Sequence, residues 1–374
     1  MIYLDWNATT PPLPEVVASM GAALRDAWGN PSSTHGHGAA ARRHVEAARQ
    51  AVADLAGVDP RDVLLVSGGT EANNLALRSH VRRVKNAVLV TSELEHPSVA
   101  KTAAALAAEG VCRVIWLRAE ASGQIALADL EAALQHLGPE ALVAVQAINH
   151  ETGVVQPLGE VFRLARAREA RVHVDAVQAF GRTRDTWIEA DTRALAGHKL
   201  RGPKGIGALL LRPGGTVLPS VHGGSQERGL RAGTVDPAAC AGLAVAARHA
   251  LEGPDRYARL VPLRDRLQDA LVQLAPGSRI AGLEAPRAPH VVSWVLPGVV
   301  GPELVAALSL EGLSVSAGSA CSAGTVEPSP VLSAMYGPAL GRSAVRFSLG
   351  EGTAAGDVDA ALAVVARVLP AFLA

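Results

Sequence analysis

The chain has 374 residues, 49% of them hydrophobic, and its 35 basic side chains balance 35 acidic ones. That length predicts a large core domain plus a smaller one, and the absence of net charge excludes a strongly basic nucleic-acid footprint, favouring a small-molecule substrate. No run of 18 uncharged apolar residues occurs, so no membrane span is expected. Residues 1–5 lack the basic and apolar regions of a secretory signal. Three cysteines are too few and too scattered for a disulfide framework or a four-ligand zinc site, so no metal is expected and a reducing cytoplasm is the expected compartment.

Along the chain, 62–66 (DVLLV) reads as a strand and 71–84 as the helix that follows. Further buried strands are predicted at 87–91, 113–117, 141–147 and 171–175, separated by helical stretches at 98–109, 127–136 and 159–169. A last central strand is expected at 206–211 (IGALLL). The alternation argues for an α/β sheet, largely parallel, with helices on both faces. From about residue 257 the texture changes to a helix (260–274), short strands at 278–281 and 290–295, and helices at 303–311 and 357–371. We expect a large unit over 15–255 and a smaller α+β unit made of 1–14 and 256–374.

Four segments carry chemistry. Ser67–Glu71 (SGGTE) lies between a strand and a helix, where glycines and unpaired N–H groups suit an anion, though a bare tight turn reads the same way. Asp175 ends the apolar strand HVD; a buried acid there needs a cationic partner, or else caps a helix. Lys199, one of only four lysines, sits on a turn between apolar segments, which favours a depressed pKa and a nucleophilic amine. Lys204, in Gly-Pro-Lys-Gly, competes with it but resembles an exposed turn. Cys321 lies among small residues only (GSACSAG, within about 316–330), as on a mobile loop presenting a thiol. Cys112 and Cys240 read as small core residues instead.

With these motifs in order, the chain resembles the cysteine desulfurases of the NifS/IscS type, within the class V aminotransferase-like, fold-type I pyridoxal-phosphate enzymes. The resemblance spans essentially the whole chain. It runs from YLDWNATTP at 3–11 through GNPSS at 29–33, SGGTE, Glu95–His96, NHETG at 149–153, HVDAVQ at 172–178 and GHK with GPKG at 197–205. It continues through HGG at 222–224, QERG, RAGT at 231–234, GSACSAG with Glu327–Pro328–Ser329, and VRFSLG at 345–350. It implies a mainly parallel seven-stranded sheet, the cofactor pyridoxal 5'-phosphate, and conversion of L-cysteine to L-alanine with the sulfur held as a persulfide on Cys321.

By the same resemblance Lys199 would attach the cofactor, Asp175 would pair with its pyridine nitrogen, His96 would stack on its ring and Gln178 would meet its phenolic oxygen. Gly69, Thr70 and His198 would hold the phosphate, with Thr234 reaching in from the second copy of a homodimer. Arg346, with Asn7 nearby, would grip the substrate carboxylate. A sulfur-acceptor protein, such as an iron–sulfur scaffold, would be the partner. Three departures stand out. Ala196 occupies a position where many relatives place a phosphate-binding serine. His150 stands where many have a cofactor-facing asparagine, which leaves either His150 or Asn149 for that role. The chain also stops soon after its last helix, where relatives carry a scaffold-docking extension. On the same fold, an aminotransferase has no need of a loop thiol, a selenocysteine lyase would share the site, and a catalytically silent protein would lack Lys199 or Cys321.

Overall fold

The computed structural model describes residues 1–184, 187–318 and 327–373. The chain opens with β1 (Ile2–Tyr3), α1 (Pro14–Asp26) and α2 (Gly36–Ala56). Strand and helix then alternate through β2 (Val63–Val66), α3 (Gly69–Arg83), β3 (Val88–Ser92), α4 (Pro97–Ala108), β4 (Arg113–Leu117), α5 (Leu127–Leu134), β5 (Ala141–Gln146), α6 (Leu158–Arg166) and β6 (Arg171–Asp175). With β7 (Thr192–Ala196) and β8 (Gly207–Leu211) they build a seven-stranded sheet ordered β2-β8-β7-β6-β5-β3-β4. β8 pairs antiparallel with β2 and β7, and the remaining pairings are parallel. Strands β2, β3, β5 and β8 are buried at every position, which is why they read as unbroken apolar runs rather than alternating ones.

β7 is the strand that the sequence pattern hides. Its TRALA run carries Arg193, a residue that argues against a central strand, yet Arg193 is 1% exposed and donates from Nη1 to the Ala56 carbonyl at 3.2 Å. The other elements differ from expectation by a few residues at their ends, where caps take over. His96 caps α4 by accepting from the Ser98 amide, and Gly68, at φ +150°, turns the chain from β2 into α3.

The chain continues through α7 (Pro237–Ala250), α8 (Gly253–Ala258), α9 (Val261–Leu274), β9 (Arg279–Ile280), β10 (Val291–Val295), α10 (Gly301–Leu310), β11 (Leu313–Ser314), α11 (Pro330–Tyr336), β12 (Ala344–Ser348) and α12 (Ala355–Val368). β12, β10 and β9 form an antiparallel sheet, and β1 pairs with β11. A second apolar core, built around Leu4, Trp294, Phe347 and Val365, joins this sheet to α9, α10 and α12. The main core also takes in Val291, Leu332 and Ala344, so the two halves share packed surface. Cys240 is fully buried in α7, and burial pushes its thiol up to about 12. Cys112 is only half-buried, against a satellite core, with its thiol also raised by burial. Among the described residues no helix is long and apolar enough to cross a membrane.

Candidate active site

A cavity of about 370 Å³ opens at the carboxyl edge of the main sheet, where β5, β6 and β7 end beside the N-terminal segment. Asn7, Gly69, Thr70, His96, His150, Asp175, Gln178, His198, Lys199 and Arg346 all line it. Two expected residues among those described do not. Asn149 is fully buried, but its side-chain amide is spent on backbone groups: Nδ2 donates to the Leu94 carbonyl at 2.9 Å, and within the 149–153 turn Oδ1 accepts from the amides of Glu151 and Thr152 at 2.9 Å each. His150 therefore faces the cavity in its place. Thr234 is exposed, away from this chain's own cavity. Cys321 lies outside the described residues.

At one end the polar groups come from strand ends and the first turns of the following helices. Asp175 Oδ2 accepts from Asn73 Nδ2 at 2.7 Å, and Oδ1 accepts from the Val177 amide at 3.1 Å. Asn73 also donates to Ser98 Oγ at 2.8 Å, and its Oδ1 lies 2.9 Å from His173 Nε2. His173 Nδ1 meets Thr192 Oγ1 at 2.8 Å, and burial holds the ring's pKa down to about 4, so it is neutral. His96 is also pushed below its ordinary value, first by burial; Asp175 opposes that shift and Lys199 adds to it.

The start of α3 presents Gly69 and Thr70 to the cavity, with the unpaired amides and favourable dipole of a helix N-terminus. His198 stands beside them, 3.1 Å from Thr9 Oγ1, its pKa lowered to about 4 by burial and then by Lys199. Ala196 adds only a methyl group to the wall. Lys199 sits on the 197–199 turn after β7, and its Nζ donates to the carbonyls of Ala8, at 2.8 Å, and Asn7.

The opposite end is assembled from distant segments. Trp6 packs flat over Gly350, where even a Cβ would fall inside the indole, and the Asn7 amide donates to Ser348 Oγ at 2.9 Å. Arg346, on β12, is 2% exposed rather than a solvated edge charge. Its Nη2 pairs with Asp5 at 2.7 Å, its Nη1 donates to the His150 carbonyl at 3.0 Å, and its Nε has no hydrogen-bond partner among the described residues. Asn7 Oδ1 accepts from Arg182 Nη1 at 3.1 Å and from His290 Nε2 at 2.9 Å. Arg182 also donates to Gln178 Oε1, so both amide oxygens face this buried cation and both amide nitrogens point elsewhere. Gln178 Nε2 reaches the Asn7 carbonyl at 3.0 Å. The His150 ring meets His96 edge-on at 5.3 Å and is held well below its usual pKa by burial.

Sequence reasoning missed Asn73, Ser98, Arg182, His290 and Asp5. A signal existed for two of them. Asn73 lies four residues after Gly69, one turn along α3, and Arg182 lies four after Gln178 in the turn that follows β6.

Comparison with known proteins places this geometry. Residues 2–361 match the model of the aminotransferase class-V family. An IscS-like cysteine desulfurase of Mycobacterium tuberculosis is 39% identical over all of this chain and 98% of its own length. A cysteine desulfurase of Cereibacter sphaeroides is 38% identical over 98% of this chain and 95% of its own. A solved NifS-like protein superimposes with a TM-score of 0.89 at 32% identity, covering 99% of both chains. With matches of that extent over a cavity ordered in this way, the chain belongs to the aminotransferase class-V family and, within it, to the cysteine desulfurase group.

Proposed function

We propose that this chain converts L-cysteine to L-alanine and takes the sulfur onto Cys321 as a persulfide. The observation that carries the reading is one cavity gathering an amine (Lys199), a single carboxylate (Asp175) and a buried guanidinium (Arg346). The family is one of pyridoxal-phosphate enzymes, and the lining residues fit that cofactor. The amides at Gly69 and Thr70, with neutral His198, suit its phosphate; Asp175 suits its pyridine nitrogen; a Gln178 N–H suits its phenolic oxygen; His96 offers a flat ring; Lys199 supplies the amine for attachment. When bound, the cofactor supplies an electron sink for the carbanion at the substrate Cα.

The chain's own groups do the rest. Arg346 binds the substrate carboxylate through the edge of its guanidinium that Asp5 leaves open, with Asn7 alongside. Lys199 Nζ removes the proton from Cα, and His96 holds a proton near the reacting sulfur. The Cys321 thiolate then attacks that sulfur: an S–S bond forms, the Cβ–S bond breaks, and its electron pair stays with the three-carbon fragment, which is protonated and leaves as alanine. Chain length supports the reach. Arg346 Nη1 lies 3.5 Å from the Gly318 carbonyl, and the three residues from Gly318 to Cys321 can span up to about 10 Å. Glu151, raised by burial, accepts from Ser329 Oγ at 2.5 Å on the far side of that segment.

The same reading makes the working unit a homodimer in which Thr234 completes the neighbour's phosphate site, in keeping with its exposure here. It takes 15–255 as the large unit and 1–14 with 256–374 as the small one, in keeping with the second apolar core. It also places the enzyme in the cytoplasm, passing sulfur to an acceptor protein such as an iron–sulfur scaffold. The test is mass spectrometry of the Cys321 peptide after one turnover without reductant, beside alanine yield. An added sulfur on Cys321, with alanine yield lost in Cys321→Ser and kept in Cys112→Ser and Cys240→Ser, is expected. Persulfide on another cysteine, or wild-type yield from Cys321→Ser, overturns it.

A further inference from the structure

We propose that Ser98 is a positioning residue that fixes the proton of the His96 ring on Nε2, and that Asn73 ties this choice to the carboxylate of Asp175. The proposal rests on reading His96 as a group that faces the reacting atoms. His96 Nδ1 lies 3.1 Å from the Ser98 amide nitrogen and 2.7 Å from Ser98 Oγ. A backbone amide only donates, so Nδ1 is an acceptor and the proton of a neutral ring must sit on Nε2.

The direction of the hydroxyl is set from its other side. Asn73 Nδ2 donates to Ser98 Oγ at 2.8 Å, which leaves the hydroxyl hydrogen for His96 Nδ1. The Asn73 amide is itself oriented twice. Its Nδ2 meets Asp175 Oδ2 at 2.7 Å, where a carboxylate can only accept, and its Oδ1 meets His173 Nε2 at 2.9 Å. His173 therefore donates through Nε2 and accepts at Nδ1 from the Thr192 hydroxyl at 2.8 Å. Reversing any link sets acceptor against acceptor or donor against donor among residues that are nearly all enclosed: Asn73 is 1% exposed, His173 0% and Ser98 7%.

The consequence is chemical. His96 turns an N–H, not a lone pair, toward the cavity, so it starts as a hydrogen-bond and proton donor there rather than as a base. To become a cation it must surrender the bond from the Ser98 amide and reverse the one from the Ser98 hydroxyl, which adds to the effect of burial. Among the described residues, the charged and titratable groups facing it are Asp175 from β6, Lys199 from the 197–199 turn and His150 from the 149–153 turn. Asp175 favours the cation, Lys199 opposes it, and His150 is neutral.

The test is ring-nitrogen NMR of the full-length, cofactor-loaded protein labelled with ¹⁵N-histidine, titrated without substrate, the His96 signals being assigned by loss in His96→Gln. The expected wild-type result is the Nε2–H tautomer. Ser98→Ala removes one donor to Nδ1 and raises the His96 pKa by roughly half to one unit, and Ser98→Thr restores it. An Nδ1–H tautomer in wild type overturns the proposal, and so does an unchanged His96 pKa in Ser98→Ala. If Ser98→Ala fails to fold, the wild-type tautomer and Ser98→Thr still decide. No turnover is needed, so loss of the desulfurase reading is seen separately, as absent alanine with the tautomer intact.

Discussion

The two ends of the cavity are built by different means. Around Asp175, the polar groups sit on strands of one sheet and on the starts of the helices that follow its strands, and each is held by a partner from another element packed on that sheet: Asn73 from α3, Ser98 from α4, Thr192 from β7. Around Arg346, partners arrive from across the chain, with 341 residues between Arg346 and Asp5 and 175 between Arg182 and Asn7. The first end is rigid because sheet register sets it. The second exists only once the N-terminal segment has docked on β12, through Trp6 over Gly350 and the Asp5–Ser348 bridge. Cofactor chemistry needs fixed dipoles, and substrate entry needs a wall that can be rebuilt.

The contrast predicts unequal damage. Asp175→Asn keeps the shape but removes the one carboxylate that lines the cavity among the described residues, so the rate should fall on the order of a thousandfold, about 4 kcal/mol at the barrier. The absorbance of the bound cofactor should change with it. Near-wild-type kcat in that variant would mean the Asp175 end does not govern the chemistry.

A second effect belongs to the same end and is read in stability. His173 is neutral in the fold with a pKa of about 4, against 6.5 for a free ring. The unfolded chain therefore binds the extra proton first, so stability is full above pH 6.5 and is lost as pH falls from there through 4. The whole effect is about 3 kcal/mol, with about 2 kcal/mol gone by pH 5. Urea unfolding at pH 7 and pH 5 measures it: His173→Gln, which cannot titrate, should lose less stability on acidification than wild type. Equal losses would show that His173 is not held neutral. His150 and His290, both pushed well below their ordinary values by burial, add slope of the same sign.

How much of this was legible in the sequence follows the same division. Asp175 ends an apolar strand, Thr70 follows a pair of glycines after another, and Lys199 sits on a turn between apolar segments, places where a polar residue demands an explanation. Asn73 and Ser98 lie in the first turns of helices, where polar residues are ordinary; the spacing from Gly69 is the one hint for Asn73, and nothing in the sequence shows that Ser98 turns inward. Arg346 in VRFS reads as an edge charge because its partner, Asp5, is at the other end of the chain. Arg193 concealed β7 for a related reason: its cost in a central strand is met by a carbonyl 137 residues away. The choice between Asn149 and His150 needed the backbone of the 149–153 turn, whose amides claim the asparagine oxygen.

The smallest predicted effect is at the Arg346 end, and the choice of substitution decides whether it can be read. Arg346→Ala would leave Asp5 beside an empty, buried space and strip a donor from the His150 carbonyl, mixing a folding defect with a binding one. Arg346→Lys keeps a positive charge for Asp5 but loses the planar fork that can hold Asp5 and a carboxylate together. The expected outcome is a KM for L-cysteine raised about tenfold to thirtyfold, with kcat changed far less, the loss corresponding to one charge-assisted hydrogen bond. Cofactor affinity and absorbance should stay close to wild-type values, because, Gln178 apart, every group proposed to hold the cofactor lies at the other end, and Gln178 makes no contact with Arg346 among the described residues. A variant that binds cysteine normally would remove Arg346 from the substrate site. A variant that sheds its cofactor would show that the two ends are not separable, since rebuilding the docked N-terminal segment would then reach Lys199 through the Asn7 and Ala8 carbonyls on which its amine rests.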